Sequence, residues 1–296
     1  MKKVFIIGVG RSGTSLLQSM LASHSEVTFV PETSMLRRFV FGGKLGKAED
    51  IAVNQELLWS DEKVKRLGLS EGDFDEGLKP AQLYEQIITK GVSTLYVGDK
   101  DPKLIEYLPL LVATFPESVI VHIKRDPRDV LASKKKADWS KSRPSSMHIA
   151  AGYAQEKAFQ SFKMRSGFKN IVEVVYEDLI SDPESVLREV CAQMEITFER
   201  RMLNFGAASE KLVSQEEMQW KGETLGPLLT NNANKWMAQL TPFEIVVCEG
   251  VNSVESSAQS VSLANRCKGA FFVLALQLIA PAYNLMRRYT YRKFQS

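Results

Sequence analysis

A glycine-rich turn close to the first residue constrains the fold of this chain more than any other feature. The turn covers residues 8–15 and follows the apolar run 4–7, which is typical of a buried parallel strand. Apolar residues recur at helical spacing after the turn, which predicts a helix over residues 15–23. A strand that passes through such a turn into a helix offers an anion free backbone N–H groups and the positive end of a helix dipole. The sequence therefore predicts a phosphate site near Arg11.

Strand-like and helix-like segments alternate along the rest of the chain. Four more strands are predicted, at residues 27–30, 95–98, 119–123 and 171–175. Helices are predicted at residues 103–115, 129–136, 149–164 and 183–194. A long, partly helical insertion is predicted at residues 33–92. This alternation predicts the α/β class, with a parallel β-sheet flanked by helices and a ligand at the carboxyl ends of the strands.

The composition is that of an ordinary soluble globular chain. With 296 residues the chain can form one large α/β domain, and its net charge of +3 is too small to indicate a nucleic-acid partner. The three cysteines show no metal or disulfide spacing, so we expect buried small apolar residues in a reducing compartment. Residues 1–3 are followed by only four strongly apolar residues, fewer than a signal peptide needs. The sequence therefore predicts no signal peptide and a cytoplasmic location.

The turn fits three kinds of phosphate site. Its three glycines match a dinucleotide-binding pattern, with Glu32 near the distance expected of the acidic ribose partner. It also nearly matches a P-loop, but Thr14 stands where that loop needs the lysine that bridges the β- and γ-phosphates of a triphosphate. What remains is Arg11 with hydroxyl side chains, a set suited to a terminal 5′-phosphate. A kinase that uses ATP and Mg²⁺ stays open as an alternative.

Two segments together resemble a known family. Residues 11–15 read Arg-Ser-Gly-Thr-Ser and resemble the 5′-phosphosulfate-binding loop of sulfotransferases that use 3′-phosphoadenosine-5′-phosphosulfate (PAPS). Residues 125–129 read Arg-Asp-Pro-Arg-Asp after the fourth predicted strand, with a serine eight residues after the first arginine. In that family this segment holds the 3′-phosphate, so the resemblance implies that Arg125 and Ser133 bind it. The contacts implied for the first loop come from Arg11, Ser12, Gly13, Thr14 and Ser15.

Weaker matches extend the resemblance over about residues 4–245. Tyr176 follows the fifth predicted strand in a segment that resembles the one near the adenine, although core packing explains a tyrosine there equally well. Lys221 and Lys235 resemble residues of the family's less specific C-terminal cofactor loop, whereas Trp236 is expected to be a packing anchor. The resemblance implies a P-loop NTPase-like sulfotransferase fold over residues 1–250, PAPS as co-substrate, no metal, and a helical extension at residues 251–296.

Glu32, Lys100 and Arg11 are the candidates for the chemistry. Sulfuryl transfer to a hydroxyl needs a base for the acceptor proton and positive charge on the transferring group and the departing phosphate. Glu32 resembles the base of carbohydrate and protein-tyrosine sulfotransferases, and Lys100 resembles the family lysine at the bridging oxygen. His122 is the competing base, but its place inside an apolar strand predicts a buried, hydrogen-bonded histidine.

The expected acceptor is a hydroxyl of a saccharide or glycolipid. The tyrosine-specific members carry an arginine two residues after the glutamate, where this chain has Ser34. Sulfation of protein tyrosine therefore stays an alternative, as does a protein that binds PAPS without catalysis. A basic stretch from Lys134 to Arg143 either receives an acidic glycan, covers the cofactor or forms a solvated helix face.

Residues beyond the resemblance include an apolar stretch, 270–283. It is shorter than the ~20 residues that a spanning helix needs, and Gln277 and Pro281 interrupt it. Basic residues lie on both sides of the stretch. Two interpretations stay open: a helix docked on the core, and contact of residues 266–296 with an anionic surface at the inner face of a membrane.

Overall fold

The computed structural model of the chain describes residues 1–32, 34, 40–41, 52–53, 55–75, 77–140, 142–213, 226–252, 262 and 264–278. Its strands are β1 (Lys2–Gly8), β2 (Val27–Phe29), β3 (Val40–Phe41), β4 (Ala52–Val53), β5 (Tyr96–Lys100), β6 (Val119–Lys124) and β7 (Ile171–Val175). Its helices are α1 (Thr14–Ala22), α2 (Gln55–Ser60), α3 (Glu62–Lys65), α4 (Pro80–Thr89), α5 (Leu108–Thr114), α6 (Pro127–Lys136), α7 (Ser145–Ser166), α8 (Tyr176–Ser181), α9 (Pro183–Gln193), α10 (Gly206–Leu212), α11 (Pro242–Asn252) and α12 (264–278). Short 3₁₀ helices lie at Glu71–Asp73, Pro102–Glu106, Asp138–Ser140, Arg200–Leu203 and Lys235–Ala238.

Five parallel strands form the central sheet in the order β2-β5-β1-β6-β7. In the middle of the sheet, Val4 of β1 lies opposite Gly98 of β5 and Val119 of β6. Residues 4–7 are fully buried, as expected of a central parallel strand that is covered on both faces. The predicted α/β class and the parallel sheet flanked by helices are confirmed. Strands β3 and β4 form a separate antiparallel pair within the predicted insertion.

The two faces of the sheet pack on different helices because successive side chains of a strand point to opposite faces. Val4 and Ile6 belong to a cluster with α1, α8 and α9. Phe5 and Ile7 belong to a second cluster with α4, α5 and the aromatic ring of Phe159 on α7. The strand ends are therefore held rigidly, and the loops that follow them start from fixed positions.

Several helix boundaries differ from the sequence prediction, and proline explains two of the differences. The single helix predicted over residues 103–115 is divided into the 3₁₀ helix Pro102–Glu106 and α5, because Pro109 inside a continuous helix would lose a hydrogen bond and clash with the preceding turn. Helix α6 begins two residues earlier than predicted. Pro127 occupies its first turn, and the Asp126 carboxylate caps it by accepting a bond from the backbone N–H of Arg128 at 2.8 Å.

Helix α12 is docked on a third cluster, which α6, α7 and α11 share. Leu276 of α12 is buried in this cluster together with Leu131 and Val247. Cys191 and Cys248 are buried as expected, but the expectation was wrong for Cys267, which lies on the exposed face of α12. None of the helices within the described ranges is long and apolar enough to cross a membrane. Helix α11 crosses the predicted boundary after residue 250, and the division into two units stays a prediction.

Candidate active site

Polar side chains gather at the carboxyl ends of the five parallel strands, and they follow the order of the sheet. From one edge to the other, the strands β2, β5, β1, β6 and β7 are followed or ended by Glu32, Lys100, the 8–15 loop, Arg125 and Tyr176. Because parallel strands all end at the same edge of the sheet, residues far apart in sequence share one site. The structure therefore brings together the main predicted site residues.

The 8–15 loop has a backbone that favours glycine and exposes N–H groups. Gly13 has a φ of 99°, and a Cβ on it would lie 2.8 Å from Cε2 of the Tyr176 ring, so a larger residue would be both strained and clashing. Arg11 also has a positive φ, 80°, which is uncommon for a residue with a side chain. Helix α1 begins at Thr14, and its first N–H groups have no partner within the helix. The loop therefore has the N–H groups and the helix start that an anion site needs.

Arg11 links this loop to helix α6. Its Nε donates a hydrogen bond to the Ser133 Oγ over 3.0 Å. Ser133 was predicted to share a phosphate with Arg125, and in the structure its hydroxyl accepts this bond from Arg11. The two predicted phosphate sites are thus adjacent. Ser133, predicted for the 3′-phosphate site, contacts Arg11, which was predicted for the 5′-phosphate site.

Arg125 lies on a platform made by Tyr176 and Asn232. Its guanidinium stacks on the Tyr176 ring at 4.2 Å from the centroid. Its Nη2 donates to the Asn232 carbonyl over 2.5 Å, and its Nη1 donates to the Arg11 carbonyl over 3.4 Å. The Asn232 amide in turn donates to the Tyr176 hydroxyl over 2.7 Å. Sequence reasoning missed Asn232, and the only available signal was its position just before the Asn-Lys-Trp segment.

Two buried polar atoms test whether the site fits a nucleotide with two phosphates. The Ser12 Oγ and the Arg125 Nε are buried and make no hydrogen bond to any residue that the structure describes. Buried polar groups are almost always hydrogen-bonded, so each of these atoms calls for an acceptor. One lies in the predicted 5′-phosphate loop and the other at the predicted 3′-phosphate position. The residues present therefore fit a nucleotide that carries both groups.

Asp129 holds the chain segment that contains Lys235. Its buried carboxylate accepts a bond from the backbone N–H of Asn234 over 2.7 Å and one from that of Trp236 over 3.0 Å. Trp236 is a packing anchor, as expected, and the Arg128 guanidinium covers its ring at 4.1 Å. Lys235 is half-buried beside this anchor. Lys221, the other lysine predicted for this loop, lies outside the described residues.

The substitution Asp129→Asn is expected to lower the free energy of unfolding by about 1–3 kcal/mol. Asparagine offers one acceptor oxygen for two backbone N–H groups, so one buried donor loses its partner. Urea unfolding followed by tryptophan fluorescence measures the change. Asp178→Asn is the matched control because Asp178 is exposed on α8 and should leave the midpoint unchanged. Equal midpoints for Asp129→Asn and the wild type would contradict this account of the carboxylate.

Glu32 and Lys100 form an ion pair between the ends of neighbouring strands. Lys100 is 1% exposed and Glu32 is 14% exposed, so the pair is largely shielded from water. Asp99 fixes the strand end below the pair. Its carboxylate accepts bonds from the backbone N–H of Lys100 at 2.7 Å and from the hydroxyl of Tyr84 at 3.0 Å. Glu32 thus pairs with the ammonium, while Asp99 fixes the backbone from which the Lys100 side chain extends.

His122 is buried and hydrogen-bonded, as the sequence predicted. Its ring stacks on Phe159 at 3.7 Å, and its Nε2 lies 3.1 Å from the Glu156 carboxylate. Its Nδ1 lies 3.8 Å from the Glu173 carboxylate. Burial opposes protonation, but the two carboxylates outweigh it and raise the pKa of His122 above 6.5. The nearby His122 ring and the Lys163 ammonium lower the pKa of Glu173 to about 2.

This raised pKa of His122 predicts a pH dependence of stability. A raised folded-state pKa stabilises the fold below the unfolded value of 6.5, and that contribution is lost as the pH rises through the folded value. The free energy of unfolding of the wild type should therefore fall above pH 6.5 more than that of His122→Gln, which lacks the titrating ring. Urea unfolding at a series of pH values measures both slopes. Parallel slopes would show that His122 gains no proton affinity on folding.

The predicted basic stretch is only partly a solvated face, since Lys136 and Arg143 are exposed whereas Lys134 and Lys135 are packed. Lys134 is buried, and together with Arg125 it lines a cavity of about 30 Å³. Lys135 forms an ion pair with Glu244 of α11 at 2.8 Å. Lys141 lies outside the described residues. Two of the lysines thus support packing near the site.

Known proteins resemble this chain in sequence and in fold. The model of the sulfotransferase family matches residues 3–200. An uncharacterised protein of Aquifex aeolicus is 25% identical over 273 residues, which cover 86% of this chain and 33% of that protein. Protein-tyrosine sulfotransferase 1 of Mus musculus is 32% identical over 132 residues, which cover 43% of this chain and 32% of that protein. The chain thus spans about a third of the length of both relatives.

The sulfotransferase domain of the Synechococcus PCC 7002 olefin synthase has a similar structure. It superposes with a TM-score of 0.63 at 20% identity, over 91% of this chain and 93% of that domain. This likeness shows a common fold. The family match covers more than half of the chain and includes all five strands of the sheet and the loops that follow them. The resemblance stated from the two phosphate motifs is confirmed, and the chain belongs to the sulfotransferase family.

Proposed function

We propose that this chain transfers the sulfuryl group of PAPS to a hydroxyl group of an acceptor. The observation that carries the proposal is the order Glu32, Lys100, 8–15 loop and Arg125 along the carboxyl edge of the sheet. This order corresponds to base, sulfuryl contact, 5′-phosphate site and 3′-phosphate site. The groups needed for an in-line transfer thus follow one another from β2 to β6.

The proposed nucleotide site uses contacts that the chain already positions. The Ser12 hydroxyl, the N–H groups at the start of α1 and the Arg11 guanidinium would hold the 5′-phosphate. Arg125 would hold the 3′-phosphate through its buried Nε, while Tyr176 and Asn232 keep its guanidinium in place. A free 3′-phosphate distinguishes PAPS from ATP, so a dedicated arginine is expected.

In the proposed mechanism, PAPS supplies a sulfuryl group bound to a phosphate that is a good leaving group. Glu32 takes the proton of the acceptor hydroxyl as the new oxygen–sulfur bond forms. Lys100 and Arg11 stabilise the electron pair that remains on the phosphate oxygen when the old bond breaks. Because Lys100 is almost fully buried, its charge acts with little screening by water. The products are a sulfate ester and adenosine 3′,5′-bisphosphate (PAP).

We propose a carbohydrate hydroxyl, on a saccharide or a glycolipid, as the acceptor. The position two residues after Glu32 supports this choice, since it is the buried Ser34 and offers no cation for an acidic peptide. Protein tyrosine is the second candidate, and the 32% identity to the mouse protein-tyrosine sulfotransferase over 132 residues favours it.

A transfer assay with radiolabelled PAPS tests the proposal. The purified chain is incubated with glycolipids, saccharides and tyrosine peptides in separate reactions, and the labelled products are identified by mass spectrometry. Label in a saccharide or glycolipid supports the proposal, and label in tyrosine peptides alone supports the second candidate. Tight binding of PAP with no transfer to any acceptor would contradict an enzyme and favour a nucleotide-binding protein.

A further inference from the structure

Helix α12 has two apolar faces on opposite sides. One face packs against α11 and the third cluster through Gly269, Val273 and Leu276. The other face points outward and carries Phe271, Leu274 and Leu278, which are 76%, 57% and 72% exposed. A helix that is apolar on both sides is expected to have a partner on each side. Only the inner partner is part of the described chain.

Close packing fixes which face of α12 points outward. A Cβ on Gly269 would collide with the side chain of Val246 on α11, so the two helices approach more closely there than a larger residue would allow. The Phe272 and Phe243 rings meet edge to face with centroids 5.8 Å apart. Rotating the helix to bury Phe271 would break both contacts. The outward stripe is therefore held at the surface by the inner packing.

The exposed residues form a continuous stripe and not a scatter. Cys267, Phe271, Leu274 and Leu278 are spaced by four, three and four residues, which places them on one line along the helix. Met164 and Met237, which are also exposed, lie on other helices and not on this line. Contiguous apolar patches of this kind mark interaction sites.

The charge of the surrounding segment indicates the kind of partner. Residues 256–296 contain six of the 38 basic residues and none of the 35 acidic residues. This segment therefore carries a charge of +6, and residues 1–255 carry −3. Arg266 and Lys268 are exposed on α12 itself, next to the stripe. A symmetric contact between two copies would bring two such segments together, and like charges disfavour it.

We propose that the outward stripe of α12 docks on the surface of an anionic lipid bilayer. The aromatic and leucine side chains enter the boundary between headgroups and acyl chains, and Arg266 and Lys268 contact lipid phosphates. The helix lies in the plane of the surface with its inner face still packed on α11. The contact is independent of sulfuryl transfer.

Vesicle flotation of the full chain tests this docking surface. The wild type is expected to float with vesicles of phosphatidylcholine and phosphatidylglycerol at about 2:1, and to remain unbound with phosphatidylcholine alone. The double substitution Phe271→Ser/Leu274→Ser should weaken binding roughly tenfold or more, since it removes the buried apolar area. Met164→Ser is the matched control because Met164 is 78% exposed on α7, and it should bind like the wild type. Raising the salt concentration should weaken wild-type binding.

Two results would overturn the proposal. The first is equal flotation of the wild type and the double variant, because the stripe would then contribute nothing. The second is a dimer in sedimentation experiments without lipid that is lost in the double variant. That result would assign the stripe to a second copy of the chain. Circular dichroism of the double variant controls for folding.

Discussion

Glu32→Gln is expected to lower kcat for sulfuryl transfer by about 10²–10⁴-fold with little change in the affinity for PAP. Glutamine has the shape of glutamate but cannot take the proton of the acceptor hydroxyl. In the structure Glu32 follows β2 and pairs with Lys100 at the end of β5. Neither residue belongs to the loop proposed to hold the 5′-phosphate. Steady-state kinetics with radiolabelled PAPS measure the rate, and calorimetry measures the affinity for PAP.

The control for this variant is Glu26→Gln. Glu26 carries an exposed carboxylate just before β2, so replacing it with glutamine should leave both kcat and the affinity for PAP unchanged. A Glu32→Gln variant that keeps kcat within a few-fold of the wild type would remove Glu32 from the role of base. An equal fall in kcat and in PAP binding would assign Glu32 to the nucleotide site.

Arg125→Ala is expected to weaken the binding of PAP by about 10²–10³-fold and the binding of adenosine 5′-monophosphate much less. The two ligands differ only in the 3′-phosphate, so the variant and the ligand pair form a cycle that isolates this contact. The buried Nε of Arg125 is the donor proposed for that phosphate. Isothermal titration of both ligands against both proteins gives the four affinities.

Arg165→Ala is the control for this second prediction. Arg165 is exposed near the end of α7 and should not discriminate between the two ligands. If Arg125→Ala lowers the affinity for both ligands equally, Arg125 supports the structure of the site and does not contact the 3′-phosphate. Arg125→Lys adds a finer test, since lysine keeps the charge but loses the planar fork of donors.

The sequence predicted the fold, and named the residues that the structure gathers at the strand ends, because their signals are local. The 8–15 loop is marked by its glycines and by the apolar strand before it, and Arg125 is marked by its position at a strand end. Parallel topology then brings these strand ends to one edge whatever lies between them. The prediction of one helix over residues 103–115 was wrong. The apolar spacing continues through Pro109, but the helical backbone is interrupted before it.

Contacts between distant side chains could not be predicted in the same way. Glu32 and Lys100 were both named, but no local pattern states that they pair across 68 residues. Asp129 bonds backbone groups more than 100 residues away, and such bonds depend on the packing of α6 against the segment that holds Trp236. Which face of α12 is buried likewise depends on where α11 lies. The apolar run alone therefore could not distinguish a helix docked on the core from one in contact with a membrane.

Titration of the wild-type chain with PAP and, separately, with ATP and Mg²⁺ tests the central claim most directly. The chain has Thr14 in place of the P-loop lysine and offers Arg125 for a 3′-phosphate, so PAP should bind about 10²-fold or more tightly than ATP. The preference for PAP should shrink in Arg125→Ala, which loses the proposed contact with the 3′-phosphate. Tighter binding of ATP than of PAP by the wild type would contradict the PAPS site and favour a kinase.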